Sequence, residues 1–308
     1  MHMPVVTVVM TVYNSSKTLE RAYRSVIEQD YQNIELIIVD DASTDNSLAL
    51  AERLISSGTN DKKVVLISNK KNYGTFVCRN YAITQATGEY FCFHDSDDAA
   101  EKNYISSLFD ALTKSPSRKL VVCKTNNRVP GRKNDVVCAA SSMFHSSLID
   151  KIGFFDSVRF AADTEFRMRC QALLGESSVF VLKKNLMKTY ASSTSLTGRK
   201  DIGIFSKPRK TYVSNFRKFH RTMGKKTKKT DFPLSIRNFP VDAKSLIGYN
   251  VDLKTFNIIY PQDRKVNTEK PMVTVIVCSH NTPDNKLDRA ISSLVSQDYE
   301  NFQIIVVD

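Results

Sequence analysis

Short apolar runs alternate with stretches of helical spacing through the N-terminal third of the chain. Val5-Val6-Thr7-Val8-Val9-Met10 is a near-continuous β-branched run, the pattern of a strand buried on both faces. Leu19, Ala22, Tyr23, Val26 and Ile27 follow at helical spacing. Leu36-Ile37-Ile38-Val39 predicts the next strand, and Leu48, Ala51, Leu54 and Ile55 a second helix. Val64-Val65-Leu66-Ile67 predicts a third strand. Phe76 to Ala86 reads as a helix ended by Gly88. Tyr90-Phe91-Cys92-Phe93 is the fourth strand. Repeated β-α-β units with short joins predict a mostly parallel α/β sheet with right-handed crossovers.

Beyond this point the pattern is more mixed. Glu101 to Leu112 predicts a helix stopped by Pro116. Strands are expected at Leu120 to Cys123, Val136 to Phe144 and Val179 to Leu182, with a helix from Thr164 to Leu174 between them. Lys207 to Arg221 carries Tyr212, Phe216 and Phe219 at helical spacing. Residues 223–270 are rich in Lys, Asn and Pro with weak periodicity, and read as a basic linker.

The N-terminal pattern then returns. Pro4 to Asp40 aligns with Pro271 to Asp308 through one inserted residue. Asn14 matches Asn281, Arg21 matches Arg289, Gln29-Asp30-Tyr31 matches Gln297-Asp298-Tyr299, and Asp40 matches Asp308. The expected organisation is one domain over 4–222, the linker, and over 271–308 the truncated start of a second copy. This reads as a piece of a longer tandem protein.

With 308 residues, 42% apolar and 25% charged, the composition is that of ordinary globular chains. No run of 18 apolar residues is present, and Met1-His2-Met3 opens without a basic region or cleavage site, so no transmembrane helix or signal peptide is expected. The six cysteines form no CxxC pair and sit mostly in apolar runs, as buried thiols in a reducing compartment would. Net charge is +12, yet Lys183 to Lys229 holds 15 Lys or Arg against the single acid Asp201, so the rest of the chain sums to −2. That segment fits an anionic membrane surface, a phosphate-bearing substrate or nucleic acid, or a solvated basic face.

In parallel sheets ligands bind beyond the carboxyl ends of the strands. Three polar clusters fall there: Thr11-Val12-Tyr13-Asn14, Asp40-Asp41, and Asp95-Ser96-Asp97-Asp98. Closely spaced carboxylates in a turn suit a hard divalent cation such as Mg²⁺ or Mn²⁺, and equally suit a turn capping the next helix. The Asp40 and Asp41 carboxylates can accept from a nucleobase imide or a ribose hydroxyl. Arg79 sits on the first turns of the third helix, where an anion would bind. Asp163, in Ala161-Ala162-Asp163-Thr164-Glu165, reads either as an N-cap or as a general base.

Taken in order, Thr11 to Asn14, Val39 to Asp45, Asn72-Tyr73-Gly74 with Arg79-Asn80, Gly88-Glu89-Tyr90 and Asp95 to Asp98 resemble a family 2 glycosyltransferase of the GT-A fold. The tandem arrangement is similar to that of bacterial capsule and glycosaminoglycan-type polymerases. The resemblance implies a Rossmann-like sheet and an inverting, metal-dependent transfer of a hexosyl or N-acetylhexosaminyl group from a UDP-sugar. The acceptor would be an oligosaccharide or lipid-linked saccharide in surface polysaccharide biosynthesis. It implies that Thr11, Tyr13 and Asp41 hold uracil with Asp40 and Arg79 nearby. Asp95 and Asp97 would hold Mn²⁺ or Mg²⁺, Asp98 would meet donor sugar or metal, and Asp163 would be the base, with Glu165 as second choice. Ala162 stands where many members carry Glu, and Thr11 where Pro is common. Lys207, Arg209, Lys210 and His220 are candidates to close over the diphosphate. The expected setting is cytoplasmic, with peripheral contact at the inner face of the membrane and no nucleic acid partner. Two alternatives remain: a non-catalytic module binding nucleotide-sugar or polyanion, and a sugar-phosphate nucleotidyltransferase. The latter wants a Gly-rich loop after the first strand, and Thr11 to Lys17 has no glycine.

Overall fold

The computed structural model describes residues 3–57, 62–127, 136–190, 201–235, 237–242 and 251–259, then 273–278, 302–307 and five helical positions between those last two segments. The chain divides into two units, Met1–Pro261 and Gln262–Asp308.

The first unit opens with β1 (Val6–Val12), α1 (Leu19–Ile27), β2 (Ile34–Asp40), α2 (Ser47–Ser56), β3 (Lys63–Asn69), α3 (Thr75–Gln85) and β4 (Tyr90–Asp95). A two-residue strand β5 (Ala99–Ala100) and α4 (Tyr104–Thr113) follow. Then come β6 (Leu120–Asn127), β7 (Val136–His145), α5 (Ser147–Ile152), α6 (Ala162–Leu174), β8 (Val179–Thr189), α7 (Lys207–Met223) and β9 (Phe256–Ile259). Among the described residues they form one nine-stranded sheet in the order β5-β8-β6-β7-β4-β1-β2-β3-β9.

The centre of the sheet is parallel, β4-β1-β2-β3, as the β-branched runs require. Toward both edges it is mixed, because β7 runs antiparallel to β4 and β6, β5 to β8, and β9 to β3. The expectation of a mostly parallel sheet therefore holds for the centre, and beyond it, among the described residues of this sheet, only β6 and β8 pair parallel. Every residue of β1 and β2 is buried, since both faces are covered. Val9, Ile37 and Phe93 face a core shared with α3, α5, α6 and α7. Val8, Leu36 and Cys92 face a second core with α1, α2 and α4. The five cysteines of the first unit are free thiols, four of them buried.

Two sequence expectations change. Helix α3 ends at Gln85 rather than at Gly88. Gly88 serves a close approach instead: a Cβ there would stand 2.4 Å from Thr7 Oγ1. The segment read as a linker belongs, over its described residues, to the first unit. Phe239 packs against Tyr212, Phe216 and Phe219 of α7, and β9 extends the sheet on β3 with Phe256 against Tyr73 and Tyr81.

In the second unit β10 (Val273–Cys278) pairs parallel with β11 (Phe302–Val307), with Val273 opposite Phe302. Val6 stands opposite Ile34 in the first unit, the same register under the sequence repeat. Leu287, Ala290, Ile291, Ser293 and Leu294 are helical, at positions that match α1. Asn281, Arg289, Gln297 to Tyr299 and Asp308 lie outside the described residues.

Candidate functional site

The parallel order β4-β1-β2 brings three strand ends side by side. Thr11 lies between Val39 and Asp95 in register, and the Asp41 N–H donates to the Val12 carbonyl at 2.8 Å. The loops that follow are tied to each other. Asn14 Oδ1 accepts from the Thr44 N–H at 2.8 Å, and the Ser15 and Ser96 hydroxyls lie 2.8 Å apart. Asn14 adopts φ of 49° to reach this position, a left-handed conformation that Asn tolerates better than most residues.

These loops floor a cleft of about 1930 Å³. Thr11, Tyr13, Asp41, Arg79, Asp95, Asp97, Asp98 and Asp163 all line it. Asp40 does not. Its side chain turns into the protein, where Oδ2 accepts from the Ser43 N–H at 3.2 Å and Oδ1 has no partner. Burial pushes its pKa up. Asp41 is also buried, and both its oxygens serve the start of α3: Oδ1 accepts from Tyr73 N–H at 2.8 Å and Oδ2 from Gly74 N–H at 2.6 Å. Asn69 Nδ2 also donates to Oδ1, at 3.3 Å. Tyr13, 49% exposed, presents its ring to the cleft.

Asp95, Asp97 and Asp98 offer carboxylate oxygens within 4.8 Å of one another. Burial and neighbouring carboxylates push Asp97 up to about 6 and Asp98 up to about 8. A concentrated set of hard oxygen donors whose charges oppose one another fits a divalent cation. Arg79, wholly buried, donates to Asp95 Oδ1 at 2.6 Å and fixes that carboxylate. Asp98 Oδ1 accepts from the Tyr190 N–H at 3.1 Å, and Arg21 Nη2 donates to the Asp97 carbonyl at 2.6 Å. Neither Arg21 nor Tyr190 was assigned to the site from sequence. Arg21 carried a signal in its match to Arg289; Tyr190 carried none.

Across the cleft stands the start of α6. Its N-cap is Ala161, held at φ of 57°, so Asp163 is not the cap. Asp163 sits in the first helical turn, lines the cleft, and accepts from the Thr164 N–H at 2.7 Å. Glu165, the other candidate base, is fully buried. It pairs with Arg169 at 2.8 Å and with His220 Nε2 at 2.9 Å. Burial opposes its charge, but Arg169 and then His220 hold its pKa below the ordinary carboxylate value. It has no access to a substrate. His220 is likewise removed from the cleft, and Lys207 is not among the lining residues. Arg209 and Lys210 do line it, joined by Arg217, Lys218 and Arg221 of the same helix. Burial lowers the pKa of Arg209 while Asp163 raises it, so the two charges face each other.

Among the described residues no helix is long and apolar enough to cross a membrane.

Comparison with known proteins accords with this geometry. Residues 7–153 match the Glycosyl transferase family 2 model. An uncharacterized glycosyltransferase of Haemophilus influenzae is 41% identical over 98 residues, which is 32% of this chain and 38% of that protein. Glycosyltransferase GlyG of Streptococcus pneumoniae is 35% identical over 107 residues, 35% of each. UDP-Glc:alpha-D-GlcNAc-diphosphoundecaprenol beta-1,3-glucosyltransferase WfaP of Escherichia coli is 34% identical over 96 residues, 31% of this chain and 36% of that one. The matches thus span little more than a third of these relatives. Among solved structures, the mannosyltransferase PcManGT of Pyrobaculum calidifontis with GDP-Man and Mn²⁺ superposes with a TM-score of 0.55 at 20% identity, covering 63% of this chain and 59% of that one. S. aureus TarS with UDP-GlcNAc gives 0.52 at 22%, covering 62% and 59%. At these identities the likeness is one of fold. Residues 7–153, the stretch that matches the Glycosyl transferase family 2 model, are thus the part of the chain that carries the strand ends, Arg79 and the carboxylate turn.

Proposed function

We propose that this chain transfers a sugar from a UDP-sugar to a saccharide hydroxyl with inversion, in the building of a surface polysaccharide. The carrying observation is that Asp95, Asp97 and Asp98 line the same cleft as Asp163. The acceptor oxygen bonds to the anomeric carbon as the bond from that carbon to the diphosphate oxygen breaks. The electron pair leaves with the diphosphate, and the acceptor proton passes to the Asp163 carboxylate. Asp95 and Asp97 would hold the divalent cation, with Asp98 beside them. Such an ion, when bound, supplies positive charge against the departing diphosphate. Thr11, Tyr13 and Asp41 bind the nucleobase end. Asp40 acts from behind, through the loop it shares with Ser43.

The UDP-GlcNAc bound by TarS and the GDP-Man and Mn²⁺ bound by PcManGT support a nucleotide-sugar donor. The matched register of β10–β11 and β1–β2 supports the start of a second copy in the C-terminal unit. The test is hydrolysis of UDP-sugars with and without Mn²⁺, in wild type and in Asp97→Ala. Turnover should need the metal and vanish in the variant. Full activity of Asp97→Ala in EDTA would remove the metal role, and no turnover of any nucleotide-sugar would favour a binding module.

A further inference from the structure

Helix α7 carries no acid in KPRKTYVSNFRKFHRTM. Its Tyr212, Phe216 and His220 are buried against the core, and that fixes which face looks outward. Lys210, Arg217, Lys218 and Arg221 are exposed and line the cleft. Their spacing puts them along one side of the helix. Among the described residues, none of the ion pairs involves any of the four. From Lys210 to Arg221 the helix rises about 16 Å at ~1.5 Å per residue. That is several times the span of one diphosphate, so the donor alone leaves most of this charge unmatched. Just ahead of the helix, Phe205 is 85% exposed on the same cleft, beside exposed Ile204. An exposed aromatic ring offers a flat apolar platform for the C–H face of a sugar.

We infer that α7 and Phe205 form the binding wall for the acceptor, and that the acceptor is an anionic saccharide chain. The inference rests on the transferase reading. It adds that recognition is by charge along the chain and by stacking at one ring. The cations lie in the same cleft as the carboxylate turn, so a chain held by them reaches the reacting centre. The anionic groups themselves, carboxylate, sulfate or phosphate, share this chemistry.

The experiment titrates the whole chain with a heparin hexasaccharide and with maltohexaose, its neutral counterpart in length, at low and high salt. Inorganic polyphosphate and phosphatidylglycerol vesicles are separate arms, and UDP-sugar binding is read independently. Heparin hexasaccharide is expected to bind, weakening as salt screens the contact, while maltohexaose binds far more weakly. Arg217→Gln/Lys218→Gln/Arg221→Gln should lower heparin affinity at least about tenfold. Its melting curve should be unchanged, because all three side chains are exposed. Phe205→Ser should weaken both saccharides severalfold. Equal binding of maltohexaose, or undiminished heparin affinity in the triple variant, overturns the inference. So does binding of vesicles or polyphosphate without binding of heparin. Failure of UDP-sugar binding in the wild type would strike the transferase reading instead, and is recorded in a different titration.

Discussion

The Arg21 guanidinium lies 3.8 Å from the centroid of the Tyr190 ring, and both residues hold the same carboxylate turn. Arg21 donates to the Asp97 carbonyl and Tyr190 N–H to Asp98 Oδ1. A helix and the end of an edge-side strand are thereby joined through the turn proposed above to hold a cation. Outer contacts of this kind orient metal ligands, and their loss typically weakens metal binding by about 10- to 100-fold. Arg21→Ala should raise the Mn²⁺ concentration needed for half-maximal turnover by that range, with turnover largely restored at saturating metal. Arg21→Lys, which keeps a donor but not the planar stack, should fall between. An unchanged Mn²⁺ requirement in Arg21→Ala would show that the turn holds its shape without the clamp.

Asp163→Asn keeps an oxygen for the Thr164 N–H but cannot take a proton. UDP-sugar binding should stay near wild type while transfer falls by about 10²-fold or more, the usual worth of a general base. Single-turnover transfer beside equilibrium donor binding separates the two effects. Wild-type transfer in Asp163→Asn would mean that another group takes the proton.

Glu165→Gln should act on stability. Arg169 and His220 would each lose a charged partner in the interior, and breaking such a pair costs about 3–5 kcal/mol. Urea unfolding measures it. The pH dependence follows from the lowered Glu165 pKa. The unfolded chain binds a proton here more readily than the folded one, so this stabilisation is complete above the ordinary glutamate value of 4.5. It is lost as pH falls through the lower folded value. The wild type should therefore lose more stability on acidification than Glu165→Gln does. Parallel curves would show that the pair carries no net stabilisation.

The contrast between Asp163 and Glu165 shows what was legible in the chain. Residues two apart on a helix point about 200° from each other, at ~100° per residue, so only one of them can face the cleft. The sequence placed the helix start near Thr164 and did not say which; in the structure Asp163 lines the cleft and Glu165 is buried. The parallel centre was legible because its strands are buried on both faces and so written as β-branched runs. The antiparallel edges were not, because an apolar run such as Val136 to Phe144 does not say in which direction its strand runs or that it will sit between β4 and β6. Asp40 and Asp41 are adjacent and alike in type. Only the turn at Ala42, with φ of 59°, and the N–H groups of Tyr73 and Gly74 determine which one reaches the cleft. The polar segment after residue 222 hid its role because its anchors, Phe239 and the four-residue strand Phe256–Ile259, are short apolar pieces within a stretch rich in Lys, Asn and Pro.

That last feature separates two shortened chains. One ending after residue 222 loses β9, exposing the hydrogen-bonding edge of β3. It also loses Phe239 and Phe256, each worth about 1.5–3 kcal/mol when fully buried. Arg237, which bonds Asp156 at 2.8 Å and the Ser157 carbonyl at 3.0 Å, goes with them, leaving Asp156 with Tyr212 but without its counter-charge. This chain should melt far lower or fail to fold. One ending after residue 261 keeps all of these contacts together with Arg79, Asp95, Asp97 and Asp163. It should retain a cooperative melt and the donor hydrolysis of the first unit. Thermal unfolding and Mn²⁺-dependent hydrolysis of the two products decide it. Equal stability of both would return 223–261 to the status of a linker. Complete loss of turnover in a folded 1–261 product would place part of the active site in the C-terminal unit.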